Sequence, residues 1–280
     1  VSPWAHRISH RDKISNYLSS VRKISSQADF DENDIIIFMH PRVLNDARAK
    51  FTLNEDKCLV WDVKDREEWR GKLTIRQKED RTARLIKRRT KRLIDDISRG
   101  SWVDIVTPQN QSREFSLPIS IANNKNLWHR GCHVVLTTPN KHVVIQRRSP
   151  QIIFSPRMID ITMGGHVDSG ESPKAAMLRE MHEEMGISLE PNKLKLLEIY
   201  KQSRYHPKYK RHARSFTYTY HAELNENHPV FNIQKSEVSK VALLSPAQSR
   251  HLVAKHRLRG LGKLNYTYAF YRYLLGEVGV

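Results

Sequence analysis

The sequence contains few cysteines and no long apolar stretch, and both shortages restrict what it can encode. Its 280 residues include two cysteines, Cys58 and Cys132, which are too few for a disulfide scaffold and lie in no zinc-binding pattern. No apolar run approaches the roughly 20 residues of a membrane-spanning helix. With 39% hydrophobic residues, we expect a folded protein of a reducing compartment, most simply the cytoplasm, with no membrane partner.

Acidic residues are scarce relative to basic ones. The chain has 48 basic and 30 acidic residues and a net charge of +18. Residues 1–120 hold 24 basic and 18 acidic residues, whereas residues 121–280 hold 24 and 12. This balance favours an anionic substrate such as a nucleotide, a phosphate ester or RNA. A generally basic protein without a nucleic-acid partner is the alternative, and both interpretations stay open.

Three of the acidic residues lie close together in one predicted helix. Ser172 is suited to cap its start, Pro173 to its first turn and Gly186 to its end. Glu180, Glu183 and Glu184 stand at i, i+3 and i+4, so their carboxylates share one helix face. Three like charges at this spacing need a counter-charge, and hard oxygen ligands suit Mg²⁺ or Mn²⁺.

The loop before this helix completes a recognisable motif. Gly165-His-Val-Asp-Ser-Gly-Glu171, followed by Arg179-Glu-Met-His-Glu-Glu-Met-Gly-Ile187, resembles the Nudix box of the MutT/Nudix hydrolases at every defining position. The resemblance implies an α/β/α sandwich with a mixed sheet over residues 121–280. It also implies metal ligands at Gly165 (through its carbonyl), Glu180, Glu183 and Glu184, and a supporting pair formed by Glu171 and Arg179.

Other stretches resemble one Nudix branch, which contains isopentenyl-diphosphate isomerase type I and its hydrolase-like relatives. They are Trp128-His-Arg130, Gln146-Arg-Arg-Ser149 and the Gly165-His166 pair. The isomerase uses a cysteine in the loop that corresponds to residues 161–166, and none is present there. The intact box therefore favours a hydrolase, with the isomerase as an alternative.

Basic residues near the box are candidates for binding substrate phosphates. Residues 201–214 hold six of them, interleaved with Tyr205 and Tyr209, and predict either a substrate-gripping loop or an exposed hairpin loop. The candidate phosphate ligands are Arg147, Arg148, Arg204 and Arg214. Glu237 precedes a late predicted strand and is either an additional metal ligand or base, or a surface glutamate.

The first 120 residues predict a smaller α+β domain or extension of unknown role. Strands are expected at residues 34–40, 57–63 and 102–106, a loop at 108–118 and a domain junction at 123–126. Between them, Ala83, Ile86, Leu93 and Ile97 have helical spacing. The other helix faces carry Arg84, Lys87, Arg88, Lys91 and Arg92. Either this helix contacts nucleic acid or it has a solvated basic face.

Residues 2–27 are basic and rich in serine, which permits organellar import as an alternative to a cytoplasmic location.

The expected function is metal-dependent hydrolysis of a small-molecule diphosphate, namely a nucleoside diphosphate linked to another group. Three alternatives stay open: RNA 5′-pyrophosphohydrolase or decapping activity, an isomerase, and a non-catalytic Nudix module in an RNA-containing complex. The sequence does not predict the oligomeric state.

Overall fold

The computed structural model describes residues 26–64, 68–152, 156–206 and 211–254. The chain forms two compact units, Val1–Gly100 and Ser101–Val280. The units divide at Gly100 rather than at the predicted residue 120, because the strands that follow Gly100 join the sheet of the second unit. The sequence also predicts a helix at residues 265–275, which, like nearly all of the segment 2–27, lies outside the described residues.

The first unit is a small α/β arrangement with its own core. The two short strands pair in parallel, and Phe30, Phe38, Leu44, Ala47 and Cys58 are buried together. The predicted strands and the predicted long helix of this unit are confirmed. Its elements are α1 (Gln27–Asp31), β1 (Ile36–Phe38), α2 (Pro41–Arg48), β2 (Cys58–Val60) and α3 (Ile75–Arg99). Among the described helices, including α3, none has the length and apolarity to cross a membrane.

The second unit is built on a mixed sheet that has nine strands within the described residues. The strands are β3 (Trp102–Val106), β4 (Ser112–Pro118), β5 (Trp128–Thr137), β6 (Val143–Arg148), β7 (Ile159–Ile161), β8 (Met163–His166), β9 (Lys195–His206), β10 (Arg211–Glu223) and β11 (Val238–Leu244), and the helices are α4 (Ile119–Asn124), α5 (Pro173–Met185) and α6 (Pro246–Ala254). The main path of the sheet runs β11-β6-β5-β10-β9, and β5 and β10 are parallel while the other pairs are antiparallel. The predicted α/β class with a mixed sheet is therefore confirmed.

Three local predictions were wrong. Most of the predicted loop at 108–118 is strand β4, whose first residues are polar and exposed and so carry no apolar pattern. The predicted junction at 123–126 is the end of α4 and the turn after it, inside the second unit. The predicted basic loop at 201–214 is mainly paired strand, since residues 201–206 of β9 face residues 211–216 of β10. Residues 207–210 lie outside the described range.

The hairpin of β5 and β6 is splayed open. This opening accommodates the start of the segment of residues 164–171 that precedes α5, which we call the glycine loop. The two strands pair directly only at Thr137 and Val143. Beyond that point β7 pairs with β6 and β8 pairs with β5, so residues 159–166 fill the gap. At the junction of β7 and β8 the Thr162 hydroxyl donates to the Val144 carbonyl at 2.6 Å and accepts from the Leu136 amide at 3.0 Å. One buried side chain thus bridges the two separated strands.

The hairpin of β3 and β4 is fastened to the loop that precedes α5. Asp104 accepts hydrogen bonds from the hydroxyls of Ser116 (2.7 Å) and Ser169 (2.8 Å) and from the Gly170 amide (3.1 Å). The Ser169 amide also donates to the Trp102 carbonyl at 2.7 Å. Although burial opposes the shift, these hydrogen bonds and the charge of Arg130 lower the pKa of Asp104. The Asp104 side chain that holds the loop is therefore ionised.

A buried histidine makes the stability of this sheet sensitive to pH. His221 is 4% exposed and lies 3.0 Å from the Thr137 hydroxyl. Burial lowers its pKa to about 4, against the opposing effect of Glu223 and with the help of Lys141 and Lys195. The unfolded chain binds a proton near pH 6.5 and the folded chain does not. Stability is therefore complete above about pH 6.5 and falls as the pH decreases towards about 4.

We expect His221→Gln to reduce this pH dependence, since glutamine can still hydrogen-bond Thr137 but does not titrate. The free energy of unfolding, measured in urea at several values between pH 7 and 4.5, should fall less steeply in the variant, by on the order of 1–2 kcal/mol. Exposed His228 provides the matched control, and His228→Gln should follow the wild type. Parallel curves for wild type and His221→Gln would contradict the assignment.

Candidate functional site

Helix α5 carries the acidic side chains, and its ends form as the sequence predicts. The Ser172 hydroxyl accepts from the Ala175 amide at 3.2 Å, and Gly186 ends the helix with φ of 69°. A left-handed residue at this position favours glycine. One side of the helix is apolar and packs on the sheet through Ala176, Met177, Met181 and Met185. The acidic side chains occupy the remaining surface, so the core packing fixes their position.

Arg179 is the centre of the acidic cluster. Its Nη1 atom donates to Glu180 and to Glu183, each at 3.1 Å. Its Nε and Nη2 atoms donate to the two carboxylate oxygens of Glu171 at 3.2 and 3.1 Å, as the resemblance implied. Nη2 also donates to the His166 carbonyl at 3.2 Å. One guanidinium thus connects the helix to the glycine loop, and a fourth carboxylate, that of Asp168, lies 3.6 Å from it.

Glu184 belongs to a second, more buried group. Burial, together with the charges of Glu180 and Glu237, raises its pKa to about 8, and only Arg148 opposes this shift. Asp160, which is 2% exposed, adds to the repulsion and forms an ion pair with Arg148 at 3.4 Å. The fold therefore brings Arg148, at the end of β6, and Glu237, in the turn before β11, close to Glu184, although both are far from it in sequence.

Gly165 lies so close to the Glu180 carboxyl group that no side chain fits between them. A Cβ atom at this position would lie 2.2 Å from the carboxyl carbon of Glu180, so only glycine permits this approach. Cys132 faces Gly165 across the strand pair, and its thiol donates to the Gly165 carbonyl at 3.7 Å. Burial and the charge of Glu180 raise the pKa of Cys132 to about 12, so this thiol stays protonated.

The chemistry of these side chains fits a divalent cation. Burial raises the pKa of Glu180 despite the neighbouring Arg179, so Glu180 and Glu184 are carboxylates in need of positive charge. Oδ1 of Asp168 is buried and has no hydrogen-bond partner among the described residues. Within those residues no three acidic, histidine or cysteine side chains already enclose one point, since Arg179 lies between Glu180 and Glu183. Oxygen donors of this kind suit Mg²⁺ or Mn²⁺.

The four candidate arginines do not gather at one place. Arg148 points to the acidic cluster, whereas Arg147, the next residue on β6, is exposed on the opposite face because strand side chains alternate. Arg214 lies over the Trp128 ring at 5.9 Å and donates to the Asn126 carbonyl at 3.2 Å. The side chain of Arg204 lies outside the described part of the chain. Of the candidates with described side chains, Arg148 is therefore the one beside the carboxylates.

Two residues beside the carboxylates were missed by the sequence analysis. Asp160 stands between Ile159 and Ile161 in β7, and an acid flanked by β-branched residues in a short strand is a signal that could have indicated a buried charge. Gln146, which is 2% exposed, lies on the same face of β6 as Arg148. Its Oε1 atom is buried and accepts no hydrogen bond from the described residues.

We expect Gly165→Ala to weaken divalent metal binding more than it destabilises the fold. The added methyl group overlaps the carboxyl group of Glu180, which can move aside but then leaves the cluster. Mn²⁺ affinity, measured by electron paramagnetic resonance, should fall by roughly tenfold or more, about 1.4 kcal/mol. Glu190→Gln, at an exposed position beyond the end of α5, is the control and should keep the wild-type Mn²⁺ affinity. Equal Mn²⁺ affinity in both variants would remove Gly165 from the site.

Comparisons with known proteins identify the family of the domain that contains these residues. The model of the NUDIX domain family matches residues 127–261. An uncharacterized Nudix hydrolase from Yersinia pestis is 36% identical over 87 residues, which are 31% of this chain and 47% of that protein. The uncharacterized Nudix hydrolase YfcD from Salmonella typhi is 29% identical over 147 residues, or 52% of this chain and 73% of that protein.

The first of these matches thus spans about half of the relative's length. The crystal structure of DR0079 from Deinococcus radiodurans covers 56% of this chain and 91% of its own, with a TM-score of 0.43 and 19% identity. The family match includes the glycine loop, helix α5, the strand that carries Arg148 and the turn that carries Glu237. The domain matched at residues 127–261 is therefore a NUDIX domain of the MutT/Nudix superfamily.

Proposed function

We propose that this protein is a metal-dependent pyrophosphohydrolase that cleaves the diphosphate linkage of a nucleoside diphosphate joined to another group. One observation carries the proposal: the charges of Glu180, Glu237 and Arg148 all act on Glu184, and Glu180 packs directly against Gly165. Carboxylates that lack sufficient counter-charge, next to an arginine, suit a site for a metal-bound diphosphate. The non-catalytic alternative is less well supported, because the box retains all of its glutamates.

The metal would be held by the Gly165 carbonyl, Glu180, Glu183 and Glu184. When bound, such an ion neutralises the phosphates and lowers the pKa of a coordinated water. Arg179 keeps Glu180 and Glu183 in fixed positions through its two 3.1 Å hydrogen bonds. The candidates for the base that accepts the proton of the water are Glu183, whose side chain is 52% exposed, and the partly buried Glu184 and Glu237.

Arg148 is the phosphate-binding residue that the geometry favours. Asp160 holds its guanidinium by an ion pair at 3.4 Å and keeps it 17% exposed, so little conformational freedom is lost when an anion binds. The buried amide of Gln146 on the same strand face offers a further polar group to the substrate. Arg147 points away and is not proposed as a phosphate ligand.

The proposal is tested by incubating the full chain with Mg²⁺ or Mn²⁺ and a panel of diphosphates in ¹⁸O-labelled water. The panel includes ADP-ribose, a nucleoside diphosphate sugar, a dinucleoside polyphosphate, 5′-triphosphorylated RNA and isopentenyl diphosphate, and products are identified by mass. We expect cleavage with ¹⁸O in one phosphate product. Changing the glutamate that acts as base to glutamine should lower kcat of the enzyme by about 10²- to 10⁴-fold.

Glu183→Gln, Glu184→Gln and Glu237→Gln are compared with Glu190→Gln, a control at an exposed position just after α5. Isopentenyl diphosphate is included because the Cys132 thiol lies next to Gly165. With a pKa of about 12 and 2% exposure, that thiol is poorly suited to exchange protons with a substrate. Isomerised product without cleavage, or no turnover of any compound by protein that binds metal, would overturn the hydrolase.

We expect Arg148→Lys to raise KM for the cleaved diphosphate roughly tenfold, because lysine lacks the fork that pairs with Asp160 and phosphate together. Arg147→Lys is the control on the same strand and should change KM less than twofold. Steady-state kinetics of both variants on one substrate measure the difference. An equal effect of the two substitutions would show that Arg148 has no special place in substrate binding.

A further inference from the structure

Helix α3 of the first unit carries a surface that the NUDIX site does not use. Five exposed cations form what we call the cationic face: Arg84, Lys87, Arg88, Lys91 and Arg92. Successive residues of a helix are rotated by about 100°, so these five lie within roughly 140° of arc on one side. No acidic residue occurs between residues 81 and 94.

The spacing of these charges is unfavourable for the isolated helix. Three pairs stand at i,i+4, namely 84 with 88, 87 with 91, and 88 with 92. Two more stand at i,i+3, namely 84 with 87 and 88 with 91. Each like-charge pair costs about 0.2–0.5 kcal/mol at low salt. Acids stand at these spacings only at the two ends of the face: Asp80 is at i−4 from Arg84, Asp95 at i+4 from Lys91 and Asp96 at i+4 from Arg92. Between residues 81 and 94 the face has none, and a continuous block of like charge favours a polyanionic partner.

Much of the apolar side of the helix is already buried. Ala83 is buried, and Leu85, Ile86 and Leu93 are partly buried, whereas Ile94 and Ile97 are 58% and 38% exposed. Two exposed isoleucines form a much smaller apolar surface than the face that a membrane-surface helix inserts into a bilayer. A partner of the cationic face must be recognised by charge, and phosphate groups are the ligands that arginine binds best.

We propose that the cationic face of α3 binds the phosphodiester backbone of a nucleic acid. Residues 84–92 extend about 12 Å along the helix axis. Duplex phosphates are spaced about 3.4 Å apart along the axis in each strand, so three to four of them fit this length. The proposal concerns the first unit and does not depend on which diphosphate the NUDIX domain cleaves.

The test measures binding of the full chain to a fluorescein-labelled 20-nucleotide RNA by anisotropy, at KCl concentrations from 50 to 200 mM. One variant changes Arg84, Arg88, Lys91 and Arg92 to glutamine. The matched control changes four exposed lysines elsewhere, Lys50, Lys72, Lys193 and Lys240, to glutamine, and so removes the same net charge. Thermal melting checks the fold, and the α3 variant should be no less stable because it loses repulsive pairs.

We expect the α3 variant to lose about three units of the slope of log K against log salt. Over this fourfold range of salt, the wild-type affinity should fall about 50-fold more than that of the variant, whereas the control should behave like the wild type. Glu183→Gln should bind RNA as the wild type does, which separates this result from the hydrolase test.

Equal slopes for the α3 variant and the wild type, or an equal loss in the control, would overturn the proposal. Vesicles that contain phosphatidylserine are tested in parallel by sedimentation. If vesicle binding depends on the four cations while RNA binding does not, the face is a membrane-binding surface and the proposal is wrong.

Discussion

The guanidinium of Arg179 keeps four acidic side chains together that would otherwise repel one another. It forms ion pairs with Asp168, Glu171, Glu180 and Glu183. Two of these acids lie on the glycine loop and two on α5, so one residue fixes the loop against the helix. Without this charge the carboxylates would be partly buried and unpaired, which is strongly unfavourable. Glu184 is not among these partners, and its pKa is raised to about 8 even with Arg148 nearby, so this carboxylate is the one for which we propose a divalent cation as counter-charge.

The position of the glycine loop depends on two further parts of the sheet. Thr162 bridges the splayed strands β5 and β6, so the chain can pass between them to Gly164 and Gly165. Asp104 then holds Ser169 and Gly170 from the side of the β3–β4 hairpin. The site is therefore supported by residues that precede the NUDIX match. This agrees with the start of the second unit at Ser101, well before the glycine loop.

The sequence was sufficient for features that depend on short separations. The cap at Ser172, the end at Gly186 and the shared face of Glu180, Glu183 and Glu184 all follow from helical geometry within a few residues. It could not distinguish Arg147 from Arg148, because that requires knowing which face of β6 is turned towards α5. It gave no reason to select Asp104, since its partners lie 65 and 66 residues away. Polar strands on sheet edges, such as β4 and β9, resembled loops for the same reason.

Helices α5 and α3 solve the same electrostatic problem in different ways. Both place like charges at i,i+3 and i,i+4, which is costly unless an opposite charge is near. In α5 the chain supplies much of that charge itself through Arg179, and Arg148 supplies part of it at Glu184, whose pKa stays raised. In α3 the stretch from residue 81 to 94 has no acid of its own, and Asp80, Asp95 and Asp96 can compensate the cations at its two ends. Because the cations extend along the helix rather than around a point, a chain of phosphates matches them better than a single small anion does.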